Sequence, residues 1–170
     1  MNSESMRVLA RATTATQLPE VAGWIHDQVI AEGCVRHDPE RAVLEIEFWL
    51  MLHERRELIR SIWIRKDWRY PLARSVLRIR SVEGWRKVLD HGTGTYELVS
   101  IEYEPAMRRL TIDTAPPHII EVTVTALDVE AATSDEPTGW RRIIDYGVGE
   151  SWSHRKGRLY IPGYSDSSRK

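Results

Sequence analysis

The stretch that decides the fold is VRHDPERAVLEIEFWL, residues 35–50. From Ala42 to Leu50 alternate residues are apolar, which is the period of a β-strand with one buried face. Asp38–Arg41, just before it, is predicted to be a turn, because proline fixes φ and the preceding aspartate can accept hydrogen bonds from backbone amides. Residues 30–37 are also predicted to form a strand, so the stretch indicates a hairpin.

The same design recurs 66 residues later without a gap. VRHDP at 35–39 corresponds to IEYEP at 101–105, and LEIE at 44–47 corresponds to LTID at 110–113. This pattern predicts an internal duplication, because the turn signal and the strand period coincide in both copies.

A β-branched run follows each hairpin, at residues 75–82 and 118–127. Each half, about 28–83 and about 96–128, is therefore predicted to be a three-stranded unit. Two such units give either one six-stranded antiparallel sheet or two stacked three-stranded sheets. The inward-facing residues are predicted to be Ala42, Leu44, Ile46, Phe48, Leu77, Ile79, Val99, Ile101, Leu110, Ile112, Ile120, Val122 and Val124.

The predicted fold class is α+β, with an N-terminal helix packed on this mainly antiparallel sheet. Apolar residues between Leu18 and Asp27 follow helical spacing, and Pro19 suits a first helical turn. Residues 85–90 are assigned one helical turn, and a short C-terminal helix is predicted at 140–146. A hairpin with its turn at 155–157 follows.

Four segments make up the predicted domain organisation. They are a flexible N-terminus at 1–16, a single domain at 17–132, a C-terminal appendage at 133–164 that opens with a linker at 133–139, and a disordered tail at 165–170.

Composition narrows the class of protein. The net charge is −1, and a single cysteine, Cys34, excludes an internal disulfide framework and a cysteine-based zinc finger. The longest apolar run, Phe48–Leu52, is far shorter than the ~20 residues of a membrane span. A cytoplasmic protein without a membrane partner is the resulting expectation.

Charge is distributed in blocks, since residues 54–89 carry net +7 and residues 97–136 carry net −7. One interpretation is that the two blocks face each other across one sheet, where cross-strand pairs of opposite charge stabilise it. The other is that they form two exposed patches that steer a partner.

No catalytic residue, metal site or cofactor is predicted. Cys34 lies in a predicted strand, where a small buried apolar side chain is the simpler interpretation. The six histidines form no helical His-Glu-x-x-His pair. A small enzyme of unknown class ranks third among the functions considered.

The insertion at 53–73, predicted as an extra edge strand or a short helix, is rich in aromatic and basic residues. Because Trp and Arg are enriched among the residues that dominate binding energy, it predicts a protein-binding surface. The candidate partner-binding residues are Trp63, Arg65, Trp68, Arg69 and Tyr70.

Nucleic-acid binding through residues 60–80 is the alternative, because basic groups bind phosphates and aromatic rings stack on bases. Its candidate residues are Arg60, Lys66, Arg74, Arg78 and Arg80.

Residues 25–127 resemble small bacterial β-rich domains of unknown function, some of which are immunity proteins encoded beside toxins. The resemblance rests on IHD at 25–27, on VRHDP and LEI in the first hairpin, and on the second block ending in LDV at 127–129. It implies a non-enzymatic protein that binds a partner protein and holds no cofactor.

Overall fold

The computed structural model describes residues 6–89, 95–115 and 118–163, and the chain is nearly all β. Strands account for 72% of the described residues, and the α-helix and 3₁₀ turns together account for 11%. The predicted α+β class is therefore wrong. Within the described residues there is one α-helix, α1 (Leu18–Ile25), close to the predicted position.

Extended strands make up the rest of the regular structure, apart from short 3₁₀ turns at Ala15–Gln17, His53–Arg55 and Pro105–Met107. The strands in the described part of the chain are β1 (Arg7–Ala12), β2 (Val29–Asp38), β3 (Val43–Met51), β4 (Glu57–Ile62), β5 (Arg65–Arg80), β6 (Val82–Leu89), β7 (Thr95–Glu104), β8 (Arg109–Ala115), β9 (Ile119–Val124), β10 (Val129–Val148) and β11 (Ser151–Tyr160).

The chain divides into two compact units. Unit 1 consists of Met1–Leu50 and Ser75–Ser134, and unit 2 of Met51–Arg74 and Asp135–Lys170. The two longest strands, β5 and β10, each contribute residues to both units.

In unit 1 the hydrogen-bonded strand order is β1-β10-β5-β3-β2-β7-β8-β9-β6. The two predicted strand triplets, β2-β3-β5 and β7-β8-β9, lie side by side and meet at the antiparallel pair β2–β7. The six predicted strands are therefore neighbours, as in the six-stranded alternative, but in the described part of the chain they belong to a larger sheet of eleven strands. The strand that follows each triplet in sequence lies beside the other triplet. β6 follows β5 but pairs with β9, and β10 follows β9 but lies beside β5.

The two hairpins of unit 1 share turn and register at the offset of 66 residues. Pairing closes at Asp38↔Val43 in the first and at Glu104↔Arg109 in the second. Ala42 (φ 53°) and Arg108 (φ 51°) precede the returning strands in the left-handed conformation. Each of their amides donates to the carbonyl of the turn proline, at 3.4 Å and 3.2 Å.

Eleven of the thirteen residues predicted to face inward are buried, including Leu44 and Ile46, whose burial confirms the predicted register. Ala42 is only half-buried, because it is the left-handed turn residue. Val99 is 40% exposed, because an irregularity between Leu98 and Ser100 reverses the alternation of β7 and buries Leu98 instead.

Several local predictions are wrong. Residues 140–146, predicted as a helix, belong to β10, and residues 85–89 of the predicted helical turn belong to β6. The predicted turn at 155–157 lies within β11, and the chain turns instead at 149–150. The helix at 140–146 is suggested by the helical spacing of the apolar positions 140, 143 and 144. All of these residues, including the two arginines between them, are extended in β10.

Two predicted segments coincide with strands and one is outside the structure. β1 lies within the segment 1–16 for which a flexible N-terminus is predicted, and β10 runs through the predicted linker at 133–139. The predicted tail at 165–170 lies outside the described residues. None of the helices in the described ranges is long and apolar enough to cross a membrane.

Replacing Ala42 or Arg108 by glycine should raise the free energy of unfolding by about 0.5–1 kcal/mol, because glycine adopts a positive φ without steric cost. Urea titration of A42G and R108G measures this effect. The matched control is A106G in the same turn as Arg108, at a negative φ, where glycine should destabilise. Destabilisation by A42G comparable to that of A106G would contradict the assigned turn conformation.

Candidate interaction surface

In unit 2 a hairpin of β4 and the first part of β5 presents apolar side chains to solvent. The strands pair from Glu57↔Arg69 to Ile62↔Arg65, so Trp63 and Ile64 form the turn. Trp63 is 97% exposed. The same hairpin carries four further apolar side chains that are each about half exposed, and with Trp63 they are called the tip cluster: Leu58, Ile59, Ile62, Trp63 and Ile64.

An exposed tryptophan on the same hairpin as four half-exposed aliphatic residues needs an explanation, because apolar surface concentrated in one exposed segment is typical of an interaction site. The hairpin does not need these residues for its own packing, since every residue of β4 is exposed. The tip cluster therefore favours a binding function.

On one side of β5 in unit 2, aromatic rings lie next to cationic side chains. The indole N–H of Trp68 donates to Asp145 at 2.9 Å, and the guanidinium of Arg56 lies 4.5 Å from the centroid of the Trp68 ring. The ammonium of Lys66 lies 4.8 Å from the ring centroid of Trp152. Cation–π contacts of this kind contribute about 0.5–1 kcal/mol each at exposed sites.

The opposite face is organised by a buried carboxylate. Asp67 is fully buried and accepts two hydrogen bonds from Arg65, at 2.6 Å and 3.0 Å, and another from Arg142. The Arg65 guanidinium also lies 5.6 Å from the Tyr146 ring centroid. Two cations around one carboxylate tie β5 to β10 within unit 2.

Hydrogen bonding from Arg65, reinforced by Arg142, lowers the pKa of Asp67 below its ordinary value of 3.8, although burial opposes this shift. Asp67 therefore stays ionised at neutral pH. Its ion pairs stabilise the fold above that ordinary value and are lost as the pH falls through the lower, folded-state pKa.

The five residues predicted to bind a partner have different environments. Trp63 and Arg69 are exposed, and the Arg69 guanidinium lies 5.4 Å from the Trp140 ring centroid. Arg65 and Trp68 are half-buried and held by the two aspartates described above. Tyr70 is 6% exposed, with its hydroxyl 3.4 Å from an Arg56 nitrogen, so it supports the surface from beneath.

Sequence reasoning missed the part of the surface that comes from residues 135–160. Trp140 stacks on Tyr160 with ring centroids 6.0 Å apart, and His154 contacts Asp145 at 2.6 Å. Composition gave a signal, because residues 138–170 are basic and rich in aromatic residues. Residues 140–148 lack the alternation of polar and apolar residues that identifies a strand, so their sequence predicts a helix instead.

The candidate nucleic-acid residues do not form one exposed stripe. Arg78 contacts Glu45 and Glu130 at 2.8 Å and 2.9 Å, and Arg80 contacts Asp128 and Glu130 at 3.2–3.3 Å. Their charges are therefore balanced within unit 1, as the cross-sheet interpretation of the charge blocks predicts. Arg60, Lys66 and Arg74 belong to unit 2, where Arg60 is exposed and the other two are half-buried.

Charge is nevertheless segregated between the units. Unit 1 has net charge −7, with ten basic and seventeen acidic residues, and unit 2 has net charge +6, with fourteen basic and eight acidic residues. Unit 2 also holds four of the seven tryptophans. The tip cluster therefore projects from the basic, aromatic-rich part of the chain.

Comparison with protein-family profiles, curated proteins and solved structures found no match to this chain. In the described residues, no group of three or more His, Cys, Asp and Glu side chains is placed to hold a metal ion.

The variant D67N should lower the free energy of unfolding at pH 7 by about 3 kcal/mol, because it leaves two arginines around a buried neutral amide. The difference in the free energy of unfolding between wild type and variant should narrow as the pH falls below 3.8 towards the lower, folded-state pKa of Asp67, because the wild type then loses the stability that its ionised carboxylate provides. Urea titrations at pH 7 and pH 3 measure both effects. E136Q, at an exposed position, is the control, and a pH-independent difference would contradict the ionised Asp67.

Proposed function

We propose that this protein is a non-enzymatic interaction module that binds an acidic partner protein through unit 2. The tip cluster, with Trp63 at its centre, is the primary contact, and Arg69 lies on the same unit. The observation that carries the proposal is the 97% exposure of Trp63 on a unit with net charge +6. An exposed tryptophan gains more than most side chains when it is buried in a partner.

The rigid support behind the hairpin favours tight binding. The paired β4–β5 register fixes the backbone of the hairpin, and the Asp67 ion pairs and the Trp68–Asp145 hydrogen bond fix the strand that carries it. A preorganised surface loses less conformational entropy on association, so more of its contact energy appears as affinity.

The positive charge of unit 2 indicates the chemistry of the partner. Complementary charge speeds association and excludes wrongly charged proteins. An acidic surface with an apolar pocket therefore fits the tip cluster. The immunity-type role implied by the sequence resemblance makes a toxin protein one such partner, and the proposal includes a cytoplasmic location.

A protein partner is favoured over a nucleic acid by the chemistry of the tip cluster. Four of its five side chains are aliphatic, and aliphatic side chains do not stack on bases as aromatic rings do. The balanced charges of Arg78 and Arg80 also remove part of the basic stripe on which nucleic-acid binding was predicted.

The test uses the tagged full chain to capture proteins from its native cell, followed by calorimetry with the purified partner. W63A should weaken binding at least about 30-fold, as expected for an interface residue worth 2 kcal/mol or more. V148A is the matched control, because Val148 is also an exposed apolar residue of unit 2 (75% exposed). Both variants should keep the wild-type melting temperature.

Equal affinity of W63A and wild type for the partner would disprove the role of the tip cluster. Trp63-dependent binding to single-stranded DNA with a steep loss of affinity in salt would instead establish the nucleic-acid function. Trp63-dependent sedimentation with phosphatidylserine vesicles would establish a lipid surface as the partner. Either of these results overturns the proposed protein partner.

A further inference from the structure

Unit 1 contains a cleft that the proposed interaction surface does not use. Its volume is about 530 Å³, and it lies beside the first hairpin, where β2 and β3 meet the unit 1 part of β5. Its charged lining includes Arg36, Arg41, Glu45, Arg78 and Arg80. Pockets of this size accommodate small organic ligands.

The arginines of the cleft differ in how strongly they are bound by the protein. Arg78 and Arg80 are held by Glu45, Glu130 and Asp128, and Asp128 is also held by Arg11 at 2.8 Å. Three arginines and three carboxylates therefore balance. This network fixes the position of the Arg78 and Arg80 side chains, which remain about 30% exposed.

The two other arginines of the cleft, Arg36 and Arg41, have no carboxylate partner or only a distant one. The side chain of Arg36 is exposed and makes no hydrogen bond or ion pair with other described side chains, and the guanidinium of Arg41 has only a 3.7 Å contact with Asp38. Another cleft residue, His37, has a buried Nε2 atom with no hydrogen-bond partner in the described part of the chain.

The second hairpin shows that folding does not require these charges. Its backbone has the same turn and register, yet Glu102 corresponds to Arg36, Tyr103 to His37 and Met107 to Arg41. Because the same hairpin forms without the two arginines and the histidine, their presence in the first hairpin indicates a role other than folding.

We propose that this cleft binds a small phosphorylated molecule. The guanidinium groups of Arg36 and Arg41 supply donors for a phosphate dianion, and the ion-paired side chains of Arg78 and Arg80 form a fixed wall of the cleft. Guanidinium forks match the geometry of phosphate oxygens. The cleft is much larger than a bare phosphate, and Val43 provides an apolar contact for the organic part of the ligand.

The test follows the arginine side-chain Nε–H NMR signals of the full chain during titration with inorganic pyrophosphate and with AMP. Adenosine is the uncharged comparison. Both phosphate probes should shift the Arg36 and Arg41 signals in a saturable manner and raise the melting temperature, while adenosine should do neither.

The double variant R36E/R41M carries the residues of the second hairpin. Because position 36 lies opposite Glu45 whereas Glu102 lies opposite Thr111, it should fold with a slightly lowered melting temperature. It should bind pyrophosphate at least about ten-fold more weakly than wild type, a difference of about 1.4 kcal/mol. R155E/R158M, which makes the same charge change at exposed positions of unit 2, should bind like wild type.

Three results would overturn the site. Unchanged wild-type arginine signals at millimolar pyrophosphate would exclude it. Equal weakening of binding in the two double variants would show a general charge effect. Unaltered binding by R36E/R41M would place the phosphate elsewhere.

Discussion

Unit 1 depends on two backbone hydrogen bonds made by left-handed turn residues. The Ala42 carbonyl accepts from the Val82 amide, and the Arg108 carbonyl accepts from the Val124 amide, both at 2.9 Å. A positive φ turns the carbonyl of the last turn residue away from its own hairpin, so it can bond to another strand. The Thr125 amide also donates to the Ser81 carbonyl at 2.9 Å, so the segments that leave the two strand triplets lie side by side. Beyond them, β6 pairs with β9 and β10 lies beside β5.

Local patterns predicted unit 1 well and unit 2 poorly. Alternation alone located Leu44 and Ile46 in the interior, because unit 1 has one buried face on these strands. It failed at Val99, because an irregularity in strand pairing leaves no mark in the residue pattern. In unit 2 both faces carry large aromatic and basic side chains, so the alternation between polar and apolar residues that identifies a strand is absent.

The candidate surface could be predicted only in part, because several of its contacts join residues that are far apart in the sequence. Composition located the aromatic and basic insertion, and Trp63 is indeed exposed. The partner of the Trp68 indole is Asp145, 77 residues away, and no local rule predicts a contact of that separation. Tyr70 could not be recognised as buried, because its burial depends on packing rather than on its own strand neighbours.

The equivalence of the two hairpins gives this chain an internal comparison. Features that both copies keep, such as the acid–proline turn and the left-handed residue after it, are requirements of the backbone. Positions at which they differ, such as Arg36 and Glu102, are not required by the shared turn and register. Variants that exchange side chains between the two hairpins can therefore distinguish residues that the hairpin needs for folding from residues that serve binding, within a single polypeptide.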